Sequence, residues 1–382
     1  MKIQSLLGIV AAAMIAPAFG QDIPKTLEIG SPAPDFSLPG TDGKTHTLAD
    51  YKDSKILCVV FTCNHCPDAV SAATRMEPIY QDYKGKGVAM VAVNANNPGS
   101  LTPDELGYSP YNDSFGEMAP FAKENGWTFP YLYDGEAQKF ATACGAQATP
   151  HVFLFDSDRK LVFTGRMDDM KRKAGPTDKS YLRDALDAVL AGTEVKEKTP
   201  RPAGCSTKWL FKANNVAKDA EKWKAKPVTV EKLSIELAKK LRTNGTENFR
   251  LINFWSTTCA PCVKEFPELV ETYRRFQRRP LEFVSIGIED ESALPKAEKF
   301  LKRTLVAVPD TMEDSLKAEG RTTNNYLWTG NVDEVAAAID KEWTGALPHT
   351  VLISPKGEIV WRHAGELDIT DLRRQIIKAL DE

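Results

Sequence analysis

Residues Phe61–Pro67 read FTCNHCP, directly after the apolar run KILCVVF at 55–61. Two cysteines with two residues between them can hold a metal, make an inert crosslink or exchange electrons, and the setting decides which. The preceding run is rich in β-branched and aromatic residues and reads as a buried strand. After the pair, Val70, Ala73, Met76, Ile79, Tyr80 and Tyr83 recur at helical spacing. A cysteine pair at a strand-to-helix junction has one sulfur at the helix N-terminus, where unpaired amides and the dipole favour a thiolate. The second sulfur, one turn on, is within reach to close a disulfide. On this reading Cys63 is the nucleophile and Cys66 its resolving partner. His65 between them should lower the Cys63 pKa.

The pattern occurs twice. RLINFWSTTCAPCVKEFP at 250–267 again puts C-x-x-C after an apolar run and before a helical one, with Val263, Phe266, Leu269, Val270, Tyr273 and Phe276 in register. Downstream of each pair, at nearly the same interval, stand TPHVFLFDSDRKLVF at 149–163 and LPHTVLISPKGEIVW at 347–361. Each half therefore predicts strand, C-x-x-C, helix, strand, helix, two strands, helix. A parallel β-α-β unit followed by a hairpin implies an α/β fold in which a mixed central sheet is flanked by helices. The expected organisation is a signal peptide at 1–20, a first domain at 21–192, a polar Lys- and Pro-rich linker at 193–228, and a second domain at 229–382. The loop NANNPGSLTPDELGYSPYNDSFG at 94–116 is of a length usually functional or mobile and could cover an active site.

Composition constrains the rest. The 382 residues carry a net charge of −3, with 42% apolar and 26% charged residues. These values suit a soluble globular chain and give no reason to expect a nucleic-acid partner. The arginines 274, 275, 278 and 279 read as the solvated face of a helix. In the first twenty residues Lys2 is the only charge, followed by LLGIVAAAMIA and the small residues Ala18 and Gly20. That predicts a secretory signal peptide cleaved near Gly20 and a periplasmic or secreted protein, with an uncleaved anchor the lesser alternative. In such a compartment the 7 cysteines can form disulfides, and the odd number leaves at least one over.

The residues quoted carry a resemblance. The first half, through GSPAPDFSLPGTDGKTHTLADY, FTCNHCP, GAQATPHVFLFD, GRMDD and GCSTKW, resembles the AhpC/TSA-like redoxin group of the thioredoxin superfamily. The second half resembles the TlpA/ResA-like extracytoplasmic thioredoxins. The resemblance implies thiol–disulfide chemistry and cis prolines at Pro150 and Pro348 facing the cysteines. There are departures. Ala148 stands where relatives often have a cysteine, the P-x-x-x-[ST]-x-x-C pattern of a peroxiredoxin is incomplete, and Asn253 takes the place of thioredoxin's buried aspartate.

The candidate site residues are thus Cys63, Cys66, Cys259, Cys262, Pro150 and Pro348, with His65, Glu265, Cys144 and Cys205 as auxiliaries. A proline beside a disulfide leaves the preceding carbonyl and amide free for an incoming peptide. Ala260-Pro261 offers no charge, so the second pair should be the more reducing. Cys144 and Cys205 could pair, one of them could resolve a mixed disulfide at Cys63, or both could be isolated thiols. Cys58 reads as core, and His151 and His349 as partly exposed residues at strand starts. Zinc shared between two pairs so far apart is not expected. No cofactor or metal is expected beyond the redox-active disulfides Cys63–Cys66 and Cys259–Cys262.

The function that follows is extracytoplasmic thiol–disulfide exchange with protein thiols or disulfides. A membrane electron donor and exchange between the two halves are further expectations. The alternatives are a thiol peroxidase at CNHC and a binding module with structural disulfides.

Overall fold

The computed structural model describes residues 23–169 and 177–382. The expected signal peptide lies outside the described residues. Among those described, no helix is long and apolar enough to cross a membrane.

In the first half the expected strand β1, Ile56–Thr62, is buried at every position. It leads through the cysteine pair into helix α1, Pro67–Tyr83. Strand β2, Val88–Asn94, returns parallel to β1. Helix α2, Phe115–Glu124, precedes a short strand β3, Tyr131–Tyr133, that extends the parallel sheet. Strands β4, Ala148–Thr149, and β5, His151–Phe155, flank Pro150, and β5 pairs antiparallel to β1. The sheet ends with β6, Leu161–Gly165, and helix α3, Tyr181–Leu190, so its order is β3-β2-β1-β5-β6. Both faces of β1 are buried, each in its own apolar cluster. This is why β1 reads as a continuous apolar run rather than an alternating one.

Residues 205–212 add to the first half. Strand β7, Cys205–Ser206, pairs with β4, and Trp209 is buried in a core cluster there. Helix α4, Asn214–Lys224, then sends Trp223 into the core of the second half.

The second half repeats the plan with one more strand. Its elements are β8, Glu231–Lys232; β9, Phe249–Trp255; helix α5, Ala260–Phe276; β10, Leu281–Ile288; α6, Leu294–Thr304; β11, Asn325–Trp328; β12, His349–Ile353; β13, Ile359–Ala364; and α7, Ile369–Asp381. The sheet order is β8-β11-β10-β9-β12-β13, with β12 antiparallel to both its neighbours, β9 and β13, and the other pairings parallel. The chain is thus two tandem α/β units, each with a mixed sheet flanked by helices. Strands β3 and β11 go beyond the sequence expectation, being too short for an apolar period to show.

The arginine-rich end of α5 differs from expectation. Arg275 is fully buried rather than solvated. Its Nη2 donates to the carbonyl oxygens of Tyr111 at 2.9 Å and Ser109 at 3.3 Å in the first half. Arg279 donates to Gly107 O at 3.1 Å, and Arg278 pairs with Asp104. Gly107 permits the approach, since a Cβ there would lie 2.7 Å from Arg275 O. The helix periodicity was legible, but an arginine fork aimed at backbone carbonyls of a remote loop leaves no local signal. Cys259 caps the opposite end of the same helix, about 24 Å away at 1.5 Å per residue.

Candidate active site

The two cysteine pairs meet their helices in different registers. Helix α1 begins at Pro67, so its N-cap is Cys66, with extended φ and ψ of −66° and 126°. Cys63 lies before the helix. Helix α5 begins at Ala260, so its N-cap is Cys259, and Cys262 lies in the first turn. Proline at the first helical position costs no hydrogen bond and fixes the start of α1 one residue after Cys66. The expectation that Cys63 occupies the helix terminus is therefore corrected.

The loop before α1 is held from outside. Asp113, from the long loop, accepts from the Asn64 amide at 2.8 Å, His65 Nδ1 at 2.6 Å and Asn96 Nδ2 at 2.8 Å. Tyr131 Oη donates to Asn64 Oδ1 at 2.9 Å. Asn64, His65, Asn96 and Asp113 are all buried. Burial opposes charge on His65, but the Asp113 carboxylate outweighs it and raises the imidazole pKa. Burial likewise opposes the Asp113 charge, and His65 outweighs it to bring the carboxyl below its usual range. The pair is thus a buried ion pair with further hydrogen bonds on the carboxylate, the condition under which such a pair survives desolvation.

Three sulfurs converge beside it. Cys66 Sγ accepts from the Cys205 amide at 3.2 Å and donates to Thr149 O at 3.2 Å. Cys63 Sγ donates to Thr149 Oγ1 at 3.2 Å. The neighbouring Cys205 and Cys63 side chains, opposed by burial and assisted by His65, hold Cys66 well below the ordinary thiol pKa. Burial, the bond to Cys66 and the Asp113 charge push Cys63 well above it. Cys66 is therefore the more acidic sulfur of this pair, and His65 acts on Cys66 rather than on Cys63 as expected. Both Cys63 and Cys66 are 0% exposed.

In the second half Cys259 and Cys262 form a disulfide. Cys259 is half-buried and Cys262 buried. Cys259 Sγ lies 3.3 Å from the Cys262 amide, which leads the first turn of α5. Glu265 is on the same face one turn after Cys262 and is 5% exposed. It accepts from the Leu367 amide at 3.0 Å through one oxygen, while the other has no partner among the described residues. Burial raises its pKa. The Thr149-Pro150 and Leu347-Pro348 bonds are both cis, and Leu347 packs in the same cluster as Cys259 and Cys262.

The Redoxin family profile matches residues 28–184 and again 216–376. The chain belongs to the Redoxin family. It is an oxidoreductase of the thioredoxin superfamily, with the redoxin unit present twice. Over 148 residues it is 30% identical to the thiol-disulfide oxidoreductase ResA of Geobacillus thermodenitrificans, which covers 38% of this chain and 75% of that protein. Among solved structures, a hypothetical protein of Sinorhizobium meliloti is 36% identical with a TM-score of 0.43, covering 48% of this chain and 96% of that one. An uncharacterized protein of Geobacillus kaustophilus is 38% identical with the same TM-score of 0.43, covering 48% and 92%.

The remaining sequence candidates of this redoxin fall into place around the two centres. Cys144 is a free thiol buried in the cluster with Phe140 and Phe153, whereas Cys205 is the free thiol beside Cys66. Cys58 is core. His151 and His349 are buried rather than partly exposed. His151 meets Thr164 Oγ1 at 3.0 Å, and burial lowers its pKa to about 3. His349 meets Asp340 at 3.0 Å and stacks on Trp343. Both imidazoles brace the strand after the proline.

Sequence reasoning missed Asp113, Asn96 and Thr149. The long loop was the available signal, but nothing local singles out Asp113 from its other polar residues. Cys63, His65 and Asp113 also present ligand atoms within 4.8 Å of one another. The Asp113 oxygens are already engaged by His65, Asn64 and Asn96, so a metal there would have to displace those bonds.

Proposed function

We propose that this redoxin exchanges disulfides with protein thiols outside the cytoplasm, using Cys259–Cys262 and Cys63–Cys66 as two separate centres. The observation that carries the reading is the second centre: a disulfide at a helix N-terminus, its first sulfur half-exposed and its second buried near a carboxyl with a raised pKa. A partner thiolate attacks Cys259, and Cys262 leaves as a thiolate stabilised by the first-turn amides. Attack of a second partner thiolate then releases Cys259 and leaves the partner oxidised. In the reverse direction the same steps reduce a partner disulfide. The leader-like first twenty residues and the ResA relative support the compartment.

Exchange between the two centres does not follow from the interface, which grips α5 at the end remote from Cys259.

One observation favours a second reading at CNHC. A thiolate at Cys66 that is 0% exposed is better reached by a small peroxide than by a folded protein. The deciding experiment is insulin disulfide reduction by the full chain and by Cys259→Ser, Cys66→Ser and the double variant, run beside peroxide consumption. Exchange predicts loss of most insulin reduction in Cys259→Ser and complete loss in the double variant. Unchanged reduction in the double variant would sink it, and peroxide consumption lost only with Cys66 would establish the second reading.

A further inference from the structure

We propose that Cys205 is the third sulfur of the first centre, carried on a segment that occupies the sheet edge an incoming peptide would take, and that it closes a Cys66–Cys205 disulfide alternating with Cys63–Cys66. This deepens the exchange reading above and rests on it.

The placement comes from strand pairing. An extended peptide can dock by adding a strand to an open edge, its backbone giving affinity and its side chains specificity. Here β7 supplies that strand from within the chain, running antiparallel to β4 with Cys205 opposite Thr149 and Ser206 opposite Ala148. Among the described residues, no strand pairs with the residues just before Pro348 in the second half. The first centre alone is covered in this way.

The segment is fastened at several points. Thr207 Oγ1 donates to Ala146 O at 2.7 Å, the Thr207 amide to Gln147 O at 3.2 Å, and the Lys208 amide to Asn96 Oδ1 at 2.9 Å. Gly204 has φ of +137°, and a Cβ there would lie 2.0 Å from Thr149 O. Only glycine lets the backbone come so close in that conformation. The result aims the Cys205 amide at Cys66 Sγ at 3.2 Å and packs the Cys205 side chain against the cluster of Cys63 and Cys66. Cys63 and Cys66 are inaccessible, whereas Cys205 is partly exposed. An external protein sulfur meets Cys205 first.

The chemistry balances with a protein dithiol as the only co-reactant. With Cys66–Cys205 formed, a partner thiolate attacks Cys205 Sγ. The partner–Cys205 bond forms, the Cys66–Cys205 bond breaks, and the electron pair leaves on Cys66, the sulfur best stabilised as a thiolate. A second partner thiolate attacks the partner sulfur of that mixed disulfide and frees Cys205. The partner has lost two electrons and two protons. One proton is taken by Cys205 and the other by solvent. Alternatively Cys63 attacks Cys66, moving the bond inward to Cys63–Cys66 and its own proton to Cys205, with no net oxidation.

The test uses the full chain with Cys259→Ser and Cys262→Ser, so that only the first centre can respond. It is oxidised with diamide, blocked with N-ethylmaleimide after denaturation, digested without reduction and mapped by mass spectrometry. Adding Cys63→Ser should trap the Cys66–Cys205 peptide pair with loss of Cys205 alkylation, while Cys144 stays alkylated. With Cys63 retained, both Cys66–Cys205 and Cys63–Cys66 should be found. If Cys205 remains alkylated in Cys63→Ser and no Cys66–Cys205 pair occurs with Cys63 present, the proposal is overturned. In that event a Cys63–Cys66 bond reducible by dithiothreitol would leave the exchange reading standing for this centre. If neither bond forms, the exchange reading fails there as well.

Discussion

Arg275 of the second half donates to the carbonyl oxygen of Tyr111 in the first half at 2.9 Å, two residues before the aspartate that holds His65. The guanidinium is fully buried, and burial together with Arg373 lowers its pKa to about 9. The helix that carries one sulfur centre thus steadies the loop that organises the other. Arg275→Ala should cost about 2–4 kcal/mol, because it leaves the buried loop carbonyls without their donor. Chemical denaturation of the full chain measures it, and a midpoint equal to wild type would show that the contact contributes nothing.

Cys66, not Cys63, should account for the low-pKa thiolate of the first centre. Ultraviolet thiolate absorbance of the chain should persist well below pH 9 in Cys63→Ser and vanish there in Cys66→Ser. The same shift governs stability. Cys66 in the folded state lies below the ordinary thiol value of 9.0, so between the two values the unfolded chain binds the extra proton. Stability of the reduced protein should therefore rise with pH up to about 9 and be lost as pH falls through the folded pKa. Above about 9 the raised Cys63 and Cys205 reverse the slope.

Asp113→Asn tests the ion pair behind that thiolate. It leaves His65 buried without its counter-charge, a change that typically costs about 3–5 kcal/mol. The imidazole pKa should fall, and with it the support for the Cys66 thiolate. Alkylation of Cys66 at neutral pH should slow severalfold, whereas the second centre should react as before. Unaltered Cys66 alkylation would remove His65 and Asp113 from the account.

At the second centre, Glu265→Gln keeps the shape of the side chain but removes its titration. Burial raises the Glu265 pKa, so the carboxyl can carry a proton nearer neutrality than an exposed glutamate. Reduction of Cys259–Cys262 by a dithiol, normalised to the dithiol's own thiolate fraction, should slow by about tenfold or more and lose its decline as pH rises through the Glu265 pKa. A parallel profile at an unchanged rate would mean that Glu265 serves only to bind the Leu367 amide.

Much of this was legible in the residues. The run ILCVVF is apolar at every position and RLINFW at all but Arg250 and Asn253, because both faces of β1 and β9 are covered, and the two proline-strand-strand signatures fixed the hairpins. What failed was register. CNHC and CAPC look equivalent as letters, yet Pro67 starts α1 one residue after the second cysteine, whereas α5 starts directly after the first. The polarity of each pair is set by where the helix begins. Asp113 and Arg275 were opaque for a different reason: each acts across a long sequence separation, through partners no local period reveals, and Cys205, legible as an auxiliary, did not show its partner. Cys205 in particular lay in a stretch whose polar composition reads as linker, while its backbone is paired against Thr149.

The length of α5 between Cys259 and Arg275 has a consequence for how the duplication is used. With the halves joined at one end of that helix and the outer sulfur at the other, the exchange proposed for both centres would make the molecule bivalent, with one client at each. Tethering two weakly bound clients on one body raises the effective concentration of each near the other. On that reading the duplication would serve to gather cargo.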